Sequence, residues 1–584
     1  MAAHMGGAMQ MHTRQKENER DHADERKLVR KKSLKFLDKR HPFYGKKRKV
    51  LAYVLYLVSF LMASSFGRPT QHIYNQNNVI RNVFSLDDSD AVTGLKFDNI
   101  HTKKEWWYFM KNTFAAAVTH EDLQPDRPGG TVLELLTGLQ IRQIRVKPVT
   151  CGGEIHRSAQ RCYPTFAEGA EDTEPFGLAN EWAWSPASSV LGYDHSVSGH
   201  FGVYESSGYI VPNASSTVED FRALRALLTH LEEADWIGPQ TRAVVVDVNI
   251  WNPSQRLVSA VKMHAEFTTV GRVLPHQVVK TFEYKKWVDT ARVHWYSEIL
   301  FVLMVLIYSI EEAKEAFVTM NARRKSSAES AVQSGHNLAT AQLKSLVRAD
   351  YLLDAYFEDT WNIMDCLNYT LALIVIAIEI QARLQLHAAV DLINLQTVQD
   401  VSINHSSTGS SNGQPNDRFI SNFVAMFGPG YLSELAYTLM GVNAVITWAK
   451  LFKYLNSFPH LAMLLKTLSN AIHPVRNFSI MFFIVFLSTG QAFNMAFGAH
   501  IDGYSTASSA MMSLFRALIG DFEYSAIQKV DPVAGPLLFV VFILLVGFIL
   551  LNMFIAILAE AYLLQSNVLP ASPACCASVC LCVT

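Results

Sequence analysis

Six apolar stretches interrupt an otherwise mixed chain: Val50 to Phe66, Ile299 to Ile310, Ile363 to Ile380, Leu435 to Ala449, Phe478 to Ala499, and a long final run. From Pro532 to Ala559, 28 consecutive residues carry no charge. At ~1.5 Å rise per residue, a helix of that length exceeds a bilayer core of ~30 Å. Six membrane spans are therefore expected, and an even number puts both ends of the chain on one side. Just before the last span, Ser508 to Ile519 is too short and too mixed to cross, and it leads into Leu518-Ile519-Gly520-Asp521. A re-entrant segment has this pattern, because non-helical backbone at membrane depth survives only where protein buries it or water bathes it. Glycine lets carbonyls turn inward, and a carboxylate repeated by symmetry forms an acidic ring for cations. An ordinary Gly-Asp turn is the plain alternative.

Residues 67–292 follow another pattern. Alternation in Ile141 to Val146 and in Ala243 to Val248 predicts strands. Phe221, Leu224, Leu227, Leu228 and Leu231 mark one stripe of a helix over Val218 to Ala234. Together these predict a folded α/β domain between the first two spans.

Charge orients the spans. The 584 residues are 49% hydrophobic and only 18% charged, with a net charge of −1. Residues 1–50 nevertheless hold 15 Lys+Arg against 6 Asp+Glu, ending in Lys46-Lys47-Arg48-Lys49 before the first apolar run. A basic flank stays cytoplasmic; a signal peptide is the alternative, disfavoured by the long basic arm. Lys314, Arg323, Arg324, Lys325, Lys344 and Arg348 follow the second stretch, and Lys466 and Arg476 follow the fourth, which makes both loops cytoplasmic. The 67–292 domain and a Ser- and Asn-rich loop from about Arg383 to Gly430 then lie outside. Sequons at Asn213 and Asn404 fall in those regions, whereas Asn252 precedes a proline. Cys151 and Cys162, the only cysteines of the outer domain, are expected to pair as a disulfide; a zinc pair would lack further ligands.

Several ordered motifs coincide with this topology. They include Gly138 to Val146, Pro175-Phe176-Gly177, Trp236 with Thr241-Arg242-Ala243, Trp251-Asn252, Glu266-Phe267, Trp361 to Asp365, Lys450 to Lys453, Leu518 to Asp521, and Leu550 to Phe554. From about Leu95 to Tyr562 the chain resembles polycystin-2-like channels of the transient receptor potential superfamily. The resemblance implies an α-helical membrane protein with a six-span, voltage-gated-like channel fold and a large extracytosolic polycystin domain between the first and second spans. It implies a homotetramer, or a heterotetramer with other polycystin subunits, set in membrane lipid, with no nucleic-acid partner. The expected organisation is a basic arm (1–49), first span (50–66), polycystin domain (67–292), second to fourth spans (293–454), cytoplasmic linker (455–476), pore domain (477–562) and short tail (563–584).

Asp521 is the expected metal-contacting residue of the filter Leu518, Ile519, Gly520 and Asp521, with permeating calcium in place of any cofactor. Lys450 and Lys453 share one face of the fourth span, with Asp365 of the third as countercharge. Voltage sensing and snorkelling to the membrane boundary both fit the lysines. Glu311 and Glu312 read as a solvated helix end, and Cys366 as apolar packing. Ile555 is the expected hydrophobic gate, with lipid-facing packing as its alternative. Ala559, four residues on, stands where the family usually has asparagine, so a polar second ring is missing or displaced. After the last span there is no D-x-D-x-D-G loop and no heptad pattern. Cys575, Cys576, Cys580 and Cys582 lie in a Pro/Ala/Ser tail, open to palmitoylation or simply divergent. No phosphate loop, nucleophile elbow or metalloprotease motif occurs, so no enzyme is expected. The function expected is a non-selective cation channel permeable to calcium, sodium and potassium, in a ciliary or flagellar, plasma or endoplasmic reticulum membrane. A non-conducting or regulatory receptor-like subunit is the alternative.

Overall fold

The computed structural model describes residues 42–66, 68–84, 95–119, 133–151, 160–167, 169–212, 214, 220–289, 293–333, 356–357, 359–407, 423–455 and 459–567. It divides into two compact units, Met1–Thr447 and Trp448–Thr584.

In the first unit, helix α1 (Pro42–Phe66) precedes α2 (Thr70–Val83). The outer domain follows, built on a seven-stranded antiparallel sheet. From one edge the strands run Val273–Glu283, Leu257–Phe267, Thr241–Asn252, Gln140–Arg145, Gly208–Ile210 and Trp184–Ser185, while Glu134–Leu135 also pairs with Thr241–Asn252. The two long central strands are buried at almost every position. That fits the run of Val, Ile and Ala in Thr241–Asn252, since both faces of the sheet are covered. Helix α3 (Phe221–Glu233) begins where Asp220 accepts the amide of Arg222, and it buries Leu224, Leu228 and Leu231 against the core. Its bounds lie within three residues of the expected stripe, and both predicted strands are present.

Beyond the sheet come α4 (Val293–Gln333), α5 (Thr360–Ser407) and α6 (Phe427–Leu455). Two sequence expectations change here. The 383–430 region is helical as far as Ser407 and again from Phe427. Leu386, Ala389 and Ile393 continue an apolar stripe past the span, and they pack with Val258, Phe282 and Met426. Glu311 and Glu312 are mid-helix, because α4 runs on to Gln333; Glu312 accepts a hydrogen bond from the Tyr356 hydroxyl. Among the described residues, five segments are long and apolar enough to cross a membrane: Val50–Val83, Thr360–Leu395, Phe427–Tyr454, Asn470–Phe497 and Ala534–Leu563. The apolar run of α4, Ile299 to Ile310, is the shortest of the six expected and is flanked by Glu298 and by Glu311-Glu312.

In the second unit, α7 (Pro459–Phe497) joins the expected 455–476 linker and the fifth span into one helix that passes through Pro474. It is followed by α8 (Ala507–Ile519), α9 (Ala534–Phe542), a π-helical stretch Ile543–Leu550, and α10 (Leu551–Asn567).

Candidate functional site

Helix α8 is the short re-entrant element of the sequence. The Thr506 hydroxyl accepts the amide of Ser509, whose own side chain returns to the Thr506 amide, so the helix starts at a reciprocal cap. Ala510, Leu514 and Ala517 form its buried face, packed in one cluster with Phe493, Phe497, Phe539 and Phe542. At the other end Gly520 adopts a left-handed conformation (φ 97°), which a side chain would strain. The Gly520 amide bonds the Ala517 carbonyl at 3.1 Å, and the Asp521 amide bonds that of Arg516 at 3.0 Å. The chain thus leaves the helix in a sharp reversal that begins at Gly520.

Asp521 projects from this reversal with its side chain 64% exposed. Its Oδ2 lies 2.6 Å from Arg516 Nη2 and 2.8 Å from Nε. This forked ion pair was not foreseen in the sequence. The signal was nonetheless present, since Arg516 is the lone cation of an otherwise uncharged α8, five residues before Asp521. Leu518 is half-buried, whereas Ile519 is 75% exposed within a single subunit.

The last apolar run is not one uniform helix. Ile543–Leu550 has π-helical turns between α9 and α10. Such turns occur frequently at functional sites, and each inserted residue rotates the face that follows. Phe554 turns inward, 5.9 Å from the Phe478 ring, while its neighbour Ile555 is 56% exposed. Ala559 lies one turn further on α10 and is also exposed. Among the described residues no group of three or more His, Cys, Asp or Glu is arranged to hold a metal ion.

Lys450 and Lys453 lie on the last turns of α6, Lys450 being buried. Asp365 is buried on α5; its pairing with the lysines stays an expectation. Near it runs an uncharged network that sequence reading missed. Tyr56 of α1 donates to Asn368 Oδ1 at 3.1 Å, and Asn368 Nδ2 donates to Asn443 Oδ1 (3.0 Å) and Thr447 Oγ1 (2.7 Å) of α6. Asparagine attracts no notice in a charge scan, yet in a helical bundle it satisfies two neighbours at once.

In the outer domain Cys151 and Cys162 form the expected disulfide, with Cα atoms 5.7 Å apart on the paired strands Val149–Cys151 and Gln160–Cys162. Asn213 and the four tail cysteines lie outside the described residues, and Asn404 falls within the bounds of α5. The Cys366 thiol lies 3.8 Å from the Tyr356 hydroxyl. A buried ion network spans the sheet: Lys262 Nζ lies 2.7 Å from Asp194 and 2.9 Å from Asp247, which also faces Arg142 at 3.5 Å. Burial works against the Asp194 charge, but Lys262 and Arg142 outweigh it and hold that carboxyl below its usual range. Next to this network, burial and then the nearby His276 push His264 down to about 4.

Comparison with known proteins matches two separate stretches of the chain. A family model described as the polycystin domain matches residues 96–285, and one described as the polycystin cation channel matches residues 417–564. The chain belongs to the polycystin family. Polycystin-2-like protein 1 of Homo sapiens is 24% identical over 532 residues, covering 88% of this chain and 58% of that protein. Polycystin-2 of Danio rerio is 26% identical over 534 residues, covering 88% and 51%. Polycystin-2-like protein 2 of Mus musculus is 25% identical over 536 residues, covering 88% and 75%. The chain thus spans about half the length of the first two relatives. The polycystin domain match holds the sheet, the disulfide and the ion network, and the channel match holds α8, Gly520-Asp521 and α10. This is a membrane protein by its family and its apolar helices alike.

Proposed function

We propose that the chain is a subunit of a six-span, tetrameric, non-selective cation channel, built from copies of itself or with other polycystin subunits. The reading rests above all on α8: a capped, half-buried short helix that ends at left-handed Gly520 and presents Asp521, between two helices of membrane-spanning length. Four such carboxylates around an axis would concentrate cations while leaving them partly hydrated, so Ca²⁺, Na⁺ and K⁺ all pass. The Arg516 pair modifies this picture. Exposed ion pairs contribute only ~0–1 kcal/mol, so a divalent cation can displace Arg516 from Asp521 at little cost. Arg516 then sets how negative the ring is at rest.

Ile555 supplies the apolar constriction on α10, and the π-helical turns before it set which face α10 turns toward the axis. Lys450 and Lys453, countered by Asp365, form the charge-bearing face of a sensor-like bundle. Moving one full charge yields only ~2.3 kcal/mol per 100 mV, so voltage dependence is weak.

The deciding experiment is reconstitution of the full chain in planar bilayers. Wild type is expected to carry Na⁺, K⁺ and Ca²⁺, and Asp521→Asn to lose divalent preference and block while keeping monovalent current. Absence of current from a correctly inserted wild-type chain would support the non-conducting, receptor-like role. A second measurement addresses the gate: Ile555→Asn is expected to raise resting current, and an unchanged open probability would exclude that position.

A further inference from the structure

Between α1, α4, α5 and α6 lies a cavity of about 470 Å³, within the range of small-molecule sites. Its inner wall is apolar, with Ala63, Phe301, Val375 and Met440 buried. Its rim includes Ile299, Leu303 and Ile380, which are 48%, 52% and 47% exposed. On helices of a membrane bundle such a rim faces lipid, so the opening is lateral. One end is polar, lined by Glu298 of α4, Glu379 and Arg383 of α5, and Tyr437 of α6. Trp287 and Trp295 also line it, as aromatic residues do at a membrane boundary.

The polar end is balanced but incompletely satisfied. Glu298 is held from both sides, by Lys285 Nζ at 2.7 Å and by Arg383 Nη2 at 2.5 Å. Glu379 has a longer contact, 3.3 Å to Arg383 Nη2. The Arg383 Nε–H is buried and meets no acceptor among the described residues. Arg68, over the Tyr437 ring at 4.8 Å, and Lys285 both line a neighbouring cleft and not this cavity. Lys285 and Arg383, the cations in contact with Glu298 and Glu379, thus offset those two carboxylates. A charged head group entering this low-dielectric cluster would leave a buried charge uncompensated, which is costly. A hydroxyl would not. It can donate to the Glu379 carboxylate and at the same time accept from the Arg383 guanidinium, both of which line the cavity.

We propose that this cavity is a binding site for a neutral, hydroxyl-headed amphiphile drawn from the membrane, its apolar body between α4 and α5 and its hydroxyl on Glu379 and Arg383. The site rests on the membrane setting and not on conduction, so a binding readout separates its failure from failure of the channel reading.

The full chain in lipid nanodiscs is labelled with hexadecanol carrying an aliphatic diazirine, and the cross-linked peptides are mapped. Labelling is expected on α4 and α5, reduced about tenfold by unlabelled hexadecanol but little by hexadecylamine or palmitate. Competition by monoolein against competition by cholesterol distinguishes an acyl from a polycyclic source. Val375→Trp, which fills the cavity without touching a charge, should abolish the labelling. Leu306→Trp, from the facing wall, repeats the test if the first variant misfolds. Glu379→Ala should let hexadecane compete as well as hexadecanol. Labelling spread evenly over all spans, or competition by the amine exceeding that by the alcohol, would overturn the proposal.

Discussion

The outer domain and the Trp448–Thr584 unit treat polarity in opposite ways. The outer domain turns polar groups inward: Arg142, Asp247, Lys262 and Glu266 are all at most 2% exposed, and they are locked to one another or to neighbours. The Glu266 carboxylate alone accepts from the Tyr204 hydroxyl at 2.7 Å and from two backbone amides. The Trp448–Thr584 unit does the reverse. Its aromatic cluster is small, and Ile484, Leu537, Phe548 and Ile555 are left 56–63% exposed. A water-facing surface on that pattern would aggregate. The first region therefore owes its form to its own interior, the second to an apolar surrounding such as lipid.

Removing a charge from the interior of the outer domain tests the first half most severely. Lys262→Ala leaves Asp247 buried against the 3.5 Å Arg142 contact and Asp194 with the Ser206 hydroxyl, and truncating one member of such a network costs about 3–5 kcal/mol. Nine of the ten tryptophans precede Trp448, so intrinsic fluorescence follows the first unit selectively. A marked fall in its melting temperature is expected, and an unchanged one would mean that the network is structurally idle.

Acid is a milder probe. The folded-state pKa of His264 lies near 4, below its ordinary 6.5, so the unfolded chain binds the extra proton first. Stability is full above about pH 6.5 and falls as pH drops toward 4, by up to ~3 kcal/mol, a tenfold change in proton affinity being worth ~1.36 kcal/mol. The depressed Asp194 adds a further loss below its usual range, as that carboxylate protonates. His264→Gln should flatten the upper part of this profile, and a profile unmoved by that change would sink the assignment. The smallest effect belongs to the Trp448–Thr584 unit. Arg516→Gln frees Asp521 of an exposed pair and should change unfolding by no more than ~1 kcal/mol, yet it should strengthen divalent block of the current. Large destabilisation by this variant would blur the contrast between the two regions.

Sequence pattern revealed most where one physical requirement dominates. Alternation at Ile141 to Val146 and the leucine stripe of α3 follow from burial alone, and both elements formed as expected. The disulfide followed from having only two cysteines in one domain. Failures came where tertiary partners decide. Leu386, Ala389 and Ile393 sit among Ser, Asn and Gln further along, and only their packing on Val258 and Phe282 keeps α5 helical there. The π-helical turns at Ile543–Leu550 leave no trace in a uniformly apolar run. Arg516 and Glu298 were visible as letters, but their roles depend on what folds beside them.

Helix α5 has 48 residues, so at ~1.5 Å per residue it is a rod roughly 70 Å long, more than twice the ~30 Å thickness of the hydrocarbon layer. Its buried Asp365 and Asn368 belong to the bundle, while Leu386, Ala389 and Ile393 belong to the core of the sheet. A twist or tilt of this rod at one end is delivered at the other, since close-packed interiors transmit strain instead of absorbing it. The same transmission runs in reverse: a shift of the sheet core at Leu386, Ala389 and Ile393 arrives at Asp365 as a torque on one continuous helix.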